Sequence, residues 1–197
     1  MHGLTNRAIQ CFVIDRYGQE KWAECARVAD IGFSDFESML IYDDELTTQI
    51  LDAASAVLNR PRFELMEDLG TYLVSHPNTE SLRRLLRFWG VTFVEFLHSL
   101  NELPDRARLA VSDLDLPDLD LRDQAATEFS LTCKSSIAGA GHVFMGILRT
   151  MADDYGALVI LEHLGVSKGG GELFQFHWWL LSSPKGVVLI WGCSFDG

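Results

Sequence analysis

Six histidines are the first residues in this chain that could hold a metal or move a proton, and none stands at the spacing a zinc finger or a HExxH helix uses. His98 lies beside an apolar stripe, His142 between Gly141 and Val143 is placed to face a pocket, and His177 sits in an aromatic stretch. His2, His76 and His163 read as surface residues. Asp43-Asp44 and Asp153-Asp154 are adjacent pairs, and neighbours on a helix do not face one another, so helix-start and solvated-face roles fit better than acid/base work. Gly169, Gly170 and Gly171 lack a following Lys-Ser or Lys-Thr and join two strand-like segments, which makes them a turn rather than a phosphate loop. No Gly-x-Ser-x-Gly elbow occurs, and no cysteine has a histidine close to it in sequence. Since no nucleophile, base and orienting group can be named together, a binding role is expected and an enzyme is not.

The elements that would carry these residues follow from periodicity. Apolar residues recur at helical intervals from Leu4 to Ala29, with Tyr17-Gly18 as a break. Helices are expected from Asp44 to Leu58, where Arg60-Pro61 stops the pattern, and from Phe63 to Val74. A long core helix should open at Asn78 and carry Leu82, Leu85, Leu86, Trp89, Phe93, Phe96, Leu97, Leu100 and Leu103 on one stripe. The Asp-, Leu- and Pro-rich stretch from Ser112 to Asp123 reads as an irregular acidic connection. Beyond it, Thr127–Ser135 alternates like a strand, Gly139–Ala152 suits a helix, and Ala157–Leu164 and Glu172–Leu181 flank the glycine turn as a hairpin. Val187 to Trp191 suggests a last strand. The expected fold class is α+β, helices first and an antiparallel sheet afterwards, in one domain spanning 1–197.

Charge and composition narrow the partners. The net charge is −12, with 16 Lys and Arg against 28 Asp and Glu. A phosphate backbone would be repelled, because Arg83, Arg84 and Arg87 share a helix with apolar residues, and Arg106 and Arg108 stand among aspartates. Nucleic acid is therefore not an expected partner. Cys11, Cys25, Cys133 and Cys193 form neither a CxxC pair nor a dense framework and read as reduced thiols. No signal-like run and no apolar stretch of ~18 residues is present, so a cytoplasmic setting without a membrane span is expected.

Several segments resemble, in order and at matching separations, the H-NOX (haem nitric oxide/oxygen-binding, HNOB) family, the sensor domains that include the haem domain of soluble guanylate cyclase. They are Met1-His2-Gly3-Leu4-Thr5-Asn6-Arg7-Ala8-Ile9 with Tyr17-Gly18 and Trp22, then Leu65-Met66-Glu67-Asp68-Leu69-Gly70-Thr71-Tyr72-Leu73. Phe96-Leu97 with Leu100-x-x-Leu103, Phe129-Ser130-Leu131, Gly139 and Gly146-Ile147-Leu148 complete the set. The resemblance implies a haem cofactor and nitric oxide sensing, and at the same time assigns its ligand positions. A histidine directly after the Leu-x-x-Leu spacing ligates the iron in the family, and here that position is Pro104. A proline ring nitrogen in a peptide is an amide and cannot ligate iron. His98 lies six positions earlier, ~240° around an ideal helix and ~9 Å along it, and does not reach the same iron.

The family's Tyr-x-Ser-x-Arg grip on the haem propionates falls on Cys133-x-Ser135-x-Ile137. Ile137 in place of a guanidinium removes the bidentate, charge-assisted partner, and Cys133 is too short to replace a phenol. Lys134 should point to the opposite face of the strand. The resemblance thus implies a signalling, regulatory domain whose partner is a cyclase, a kinase or a response element, and in which the residues that normally hold haem have been replaced. Its alternative is a sensor holding haem, another tetrapyrrole or an apolar molecule through a substitute such as Cys133 or His142, unless Trp89 or Phe93 fills the space. Cys133 also reads as a small buried hydrophobe.

Overall fold

The computed structural model describes residues 1–180. Its first part is helical: α1 (Gly3–Tyr17), α2 (Gln19–Val28), α3 (Asp44–Leu58), α4 (Arg62–Ser75), α5 (Glu80–Phe88), α6 (Phe93–Ser99) and α7 (Leu103–Ala110). Then follow β1 (Asp118–Ala125), β2 (Glu128–Lys134), α8 (Ala140–Asp154), β3 (Ala157–Val166) and β4 (Glu172–Leu180). The strands form one antiparallel sheet in the order β1-β2-β4-β3, so the fold is α+β as expected. The Ser167–Gly171 turn joins β3 to β4, with the Ser167 N–H donating to the Gly171 carbonyl at 2.7 Å and Gly170 at φ 85. The expected strand at Val187–Trp191 lies outside the described residues. No helix among the described residues is long and apolar enough to cross a membrane.

Two cores result. Ile9, Phe12, Trp22, Ile50, Leu65, Leu69 and Tyr72 close the helical one, together with Ile137 and Ala140. Phe93, Phe96, Leu97, Leu100, Leu131, Leu148, Phe174 and Phe176 close the other, between α6, α8 and the inner face of the sheet. They meet where α4 crosses α8, and the half-buried Val143 packs against both. The crossing is close enough that a Cβ on Gly70 would lie 1.9 Å from the Val143 carbonyl oxygen, and one on Gly146 2.0 Å from that of Glu67. Only glycine fits at either point, because the obstacle is backbone that no side-chain motion can clear.

Three expectations need correction. The long helix from Asn78 is interrupted: a 3₁₀ turn at Pro77–Thr79 precedes α5, and the chain breaks again between Phe88 and Phe93. At that break Thr92 and Glu95 form a reciprocal capping box that starts a new helix. Tyr155 clamps the gap by donating its hydroxyl to the Gly90 carbonyl at 2.8 Å. Next, the acidic stretch to Asp123 is not wholly irregular, since β1 begins at Asp118 and buries Leu119 and Leu121 against the sheet-side core. Asn101 locks that strand in place, accepting from the Leu121 N–H at 2.7 Å and donating to its carbonyl at 3.3 Å. Lastly, His2 is buried, not exposed: it bridges to Ile41 and accepts from the Leu4 N–H at the start of α1. His76, also read as a surface residue, is half-buried and stacks on Tyr72 at 4.7 Å.

Candidate functional site

Leu100 and Leu103 sit in the sheet-side core, the first opening a short 3₁₀ turn at Leu100–Glu102 and the second being the first residue of α7. Pro104 takes the second place of α7 and is buried. A proline there has no N–H to offer the Leu100 carbonyl; the Leu103 N–H donates to that oxygen instead, which is the tighter 3₁₀ pattern. The chain therefore accommodates the ring by tightening the preceding turn, and α7 continues to Ala110 rather than ending at the proline. His98 lies six residues earlier, near the end of α6. It is exposed, and its Nε2 lies 3.0 Å from Asp123 Oδ1 on β1.

Opposite Leu100 and Leu103, β2 delivers Cys133 into the same core. Burial, then the carboxylates of Glu172 and Asp118, push its thiol up to about 12, so at neutral pH it is a neutral, weakly polar group. Two residues on, the strand has ended and Ser135 is exposed, its Oγ accepting from the Ile137 N–H at 3.1 Å. Ile137 then turns into the helical core. Within five residues the chain has moved from one core to the other, with Ser135 on the outside between them.

Ser135 opens onto a cleft of ≈ 340 Å³ shared with Met1, Arg108, Pro117, Lys134 and Gly170. Lys134, the last residue of β2, is exposed on the face opposite the buried Cys133, as alternation requires, and lines this cleft from there. Arg108 in the same cleft is paired with Asp105 at 3.0 Å. Trp89 is half-buried under the Arg106 guanidinium, 5.3 Å from its ring centre. Phe93 is buried among Phe96, Tyr155 and Trp178, with ring centres 5.9–6.1 Å away.

His142 does not join Pro104 and Cys133 as a group; it lies in the first turn of α8 against Phe63, His163 and Phe174. Burial and the neighbouring His163 lower its pKa, against an opposing pull from Glu172. The Glu172 carboxylate caps this helix, accepting from the N–H groups of Gly139 at 3.1 Å and Gly141 at 2.8 Å. Sequence reasoning did not associate His142 with His163 and Glu172, because the three come from α8, β3 and β4 and share no local spacing.

A family described as Haem-NO-binding (HNOB) matches residues 2–163 of this chain. The chain is 25% identical to soluble guanylate cyclase gcy-31 of Caenorhabditis elegans over 167 residues, 84% of this chain and 24% of that protein. It is 22% identical to soluble guanylate cyclase 89Da of Drosophila melanogaster over an alignment covering 100% of this chain and 30% of the relative. It thus spans about a quarter to a third of the length of these curated relatives. Among solved structures, the Fe(II) unliganded H-NOX protein from K. algicida superposes with a TM-score of 0.80 at 18% identity, covering 94% of this chain and 100% of that one. A point mutant of the T. Tengcongensis H-NOX gives 0.74 at 16% identity, covering 90% and 97%. At these identities the two structures establish a shared fold.

Proposed function

Because the chain belongs to the Haem-NO-binding family, we propose that it is an H-NOX-type sensor domain that regulates a signalling partner, and that it no longer holds haem through the family's own ligand set. The observation that carries this reading is Pro104, buried where the resemblance puts the iron's axial ligand and unable to donate a lone pair. The remaining positions do not fit the group either. Ile137 is packed against helical-core residues and has no polar atom for a propionate, and Ser135 already accepts from the Ile137 backbone. Cys133 is packed among the apolar residues of the sheet-side core, as a small buried hydrophobe would be. His142 lies in a separate cluster with His163 and Glu172, away from these positions. The domain's action therefore rests on packing rather than on haem.

Its working part is mechanical. The segment from Cys133 to Ile137 feeds both cores, and the α4–α8 crossing locks them backbone to backbone. A partner that moves one lobe is felt by the other through rigid packing. The curated relatives are named soluble guanylate cyclases, which supports a cyclase as the first partner class to test; a kinase is the next class to try.

Protein expressed with ample haem precursor, purified, reduced and exposed to nitric oxide decides the haem question by its absorption spectrum. A folded, colourless protein is the expected result. A stoichiometric Soret band that shifts with nitric oxide overturns the loss of haem and favours a substitute ligand, with Cys133→Ala and His142→Ala the variants that identify it. Adding the purified chain to a guanylate cyclase catalytic domain should alter cyclic GMP production; an unchanged rate excludes that partner class.

A further inference from the structure

We propose that His142, His163 and Glu172 bind one divalent transition-metal ion, zinc being the best match, at the junction of α8 with the β3–β4 hairpin. Each of the three offers a ligand-capable atom, and these atoms all lie within 4.8 Å of one another. Ligands of a tetrahedral zinc at ~2.1 Å are ~3.4 Å apart, so the set closes on an ion with side-chain adjustments of about an ångström.

An independent observation points to a missing partner. His142 is only 9% exposed, and its Nδ1 is buried without a hydrogen-bond partner among the described residues. Buried ring nitrogens are nearly always satisfied, and a neutral imidazole in this setting has a lone pair ready for a cation. The other two residues are already aimed. Glu172 is held through both oxygens by the Gly139 and Gly141 N–H groups, which orient the carboxylate while leaving each oxygen a second lone pair. His163 is stacked on Phe174 at 4.8 Å and meets the His142 ring edge-on at 4.9 Å.

The donor chemistry selects the ion. Two imidazoles and a carboxylate suit zinc, whereas calcium and magnesium prefer all-oxygen sets, and a soft monovalent metal prefers sulfur ligands that these three residues do not supply. His163 is exposed, so the fourth position faces solvent and takes water or an external ligand. The ion would pin the start of α8 to both strands of the hairpin, and it is independent of whether haem binds.

The test uses the whole chain, stripped with a chelator and titrated with zinc sulfate by calorimetry and by competition with a chromophoric chelator. One equivalent of zinc should bind, the melting temperature should rise with zinc, and cobalt(II) should give the intense visible bands of a tetrahedral site. His163→Ala alters an exposed side chain and should leave the metal-free protein folded, while weakening zinc binding at least tenfold and abolishing the melting shift. Glu172→Gln and His142→Ala should do the same where they fold. Failure of the parent chain to bind one equivalent overturns the proposal. Equally, binding that survives His163→Ala at full affinity assigns the metal to other residues and overturns it.

Discussion

Two regions of the molecule treat the family's sequence pattern in opposite ways. At the α4–α8 crossing, Gly70 and Gly146 stand where the resemblance expects them, and each is fixed by a backbone oxygen about two ångströms from where a Cβ would be. The positions assigned to ligands hold Pro104, Cys133 and Ile137, and all three are buried, Cys133 in the sheet-side core and Ile137 in the helical one. The crossing is a steric demand that any occupant of this fold must meet. A ligand position makes no such demand once its ligand is gone, and apolar residues of suitable volume are then free to fill it. Fold and cofactor chemistry are thus written in separable sets of residues.

The contrast can be broken most forcefully at the crossing. Gly146→Ala drives a methyl into the Glu67 carbonyl and should cost about 3 kcal/mol or more, read as a lower denaturant midpoint; a loss under ~0.5 kcal/mol would show that the helices separate freely. Ile137→Ala comes next, with a loss of ~2–4 kcal/mol from the cavity left in the helical core. A neutral result there would mean that Ile137 is not a packing residue, and the contrast fails.

Pro104 provides the sharper test at lower cost. Pro104→Ala should cost about 1–2 kcal/mol, since a proline in the first turn forgoes little backbone bonding while the change removes two buried methylenes and a restriction on the unfolded chain. Pro104→His should take up more haem than the parent, measured as Soret absorbance, and lose it readily to apomyoglobin because Ile137 and Cys133 still offer no propionate contact. Tight retention by that single variant would show that the other ligand positions are less changed than their residues imply.

The smallest effect lies at the far side of the helical core. Asp15 accepts from the Tyr72 hydroxyl at 2.7 Å and from the Asn78 amide at 3.0 Å, which hold its pKa below the ordinary value although burial pulls it upward. A carboxylate lowered in this way adds stability above its unfolded value of ~3.9, and the contribution disappears as pH falls through the folded value. Asp15→Asn should flatten the acid limb of the stability–pH curve below about pH 4. An unaltered acid limb would mean that Asp15 takes no part in acid unfolding.

Much of the architecture was legible because hydrophobic periodicity is a local signal. Asp44–Leu58 matched α3 residue for residue, and α8 and the β3–β4 hairpin fell where their patterns indicated. The interrupted helix was harder, because its apolar stripe runs through the break without a gap. The signal that marks it, Thr92 and Glu95 three residues apart after Gly90, is a capping pattern that the stripe overshadowed. β1 was hidden by aspartates, although Leu119 and Leu121 carry the period of two. The cluster of His142, His163 and Glu172 had no local signal, since only the sheet register and the placement of α8 bring it together.

The acidity that disguised β1 has a second consequence. Among the described residues β1 stands at one edge of the sheet, and an edge strand offers unpaired backbone groups to any other strand it meets. Asp118, Asp120 and Asp123 leave that edge net negative even with Arg122 paired to Asp120, and like charges brought side by side repel. The residues that keep the strand from looking like one also keep it from recruiting another chain, so the sheet can end there without seeding aggregation.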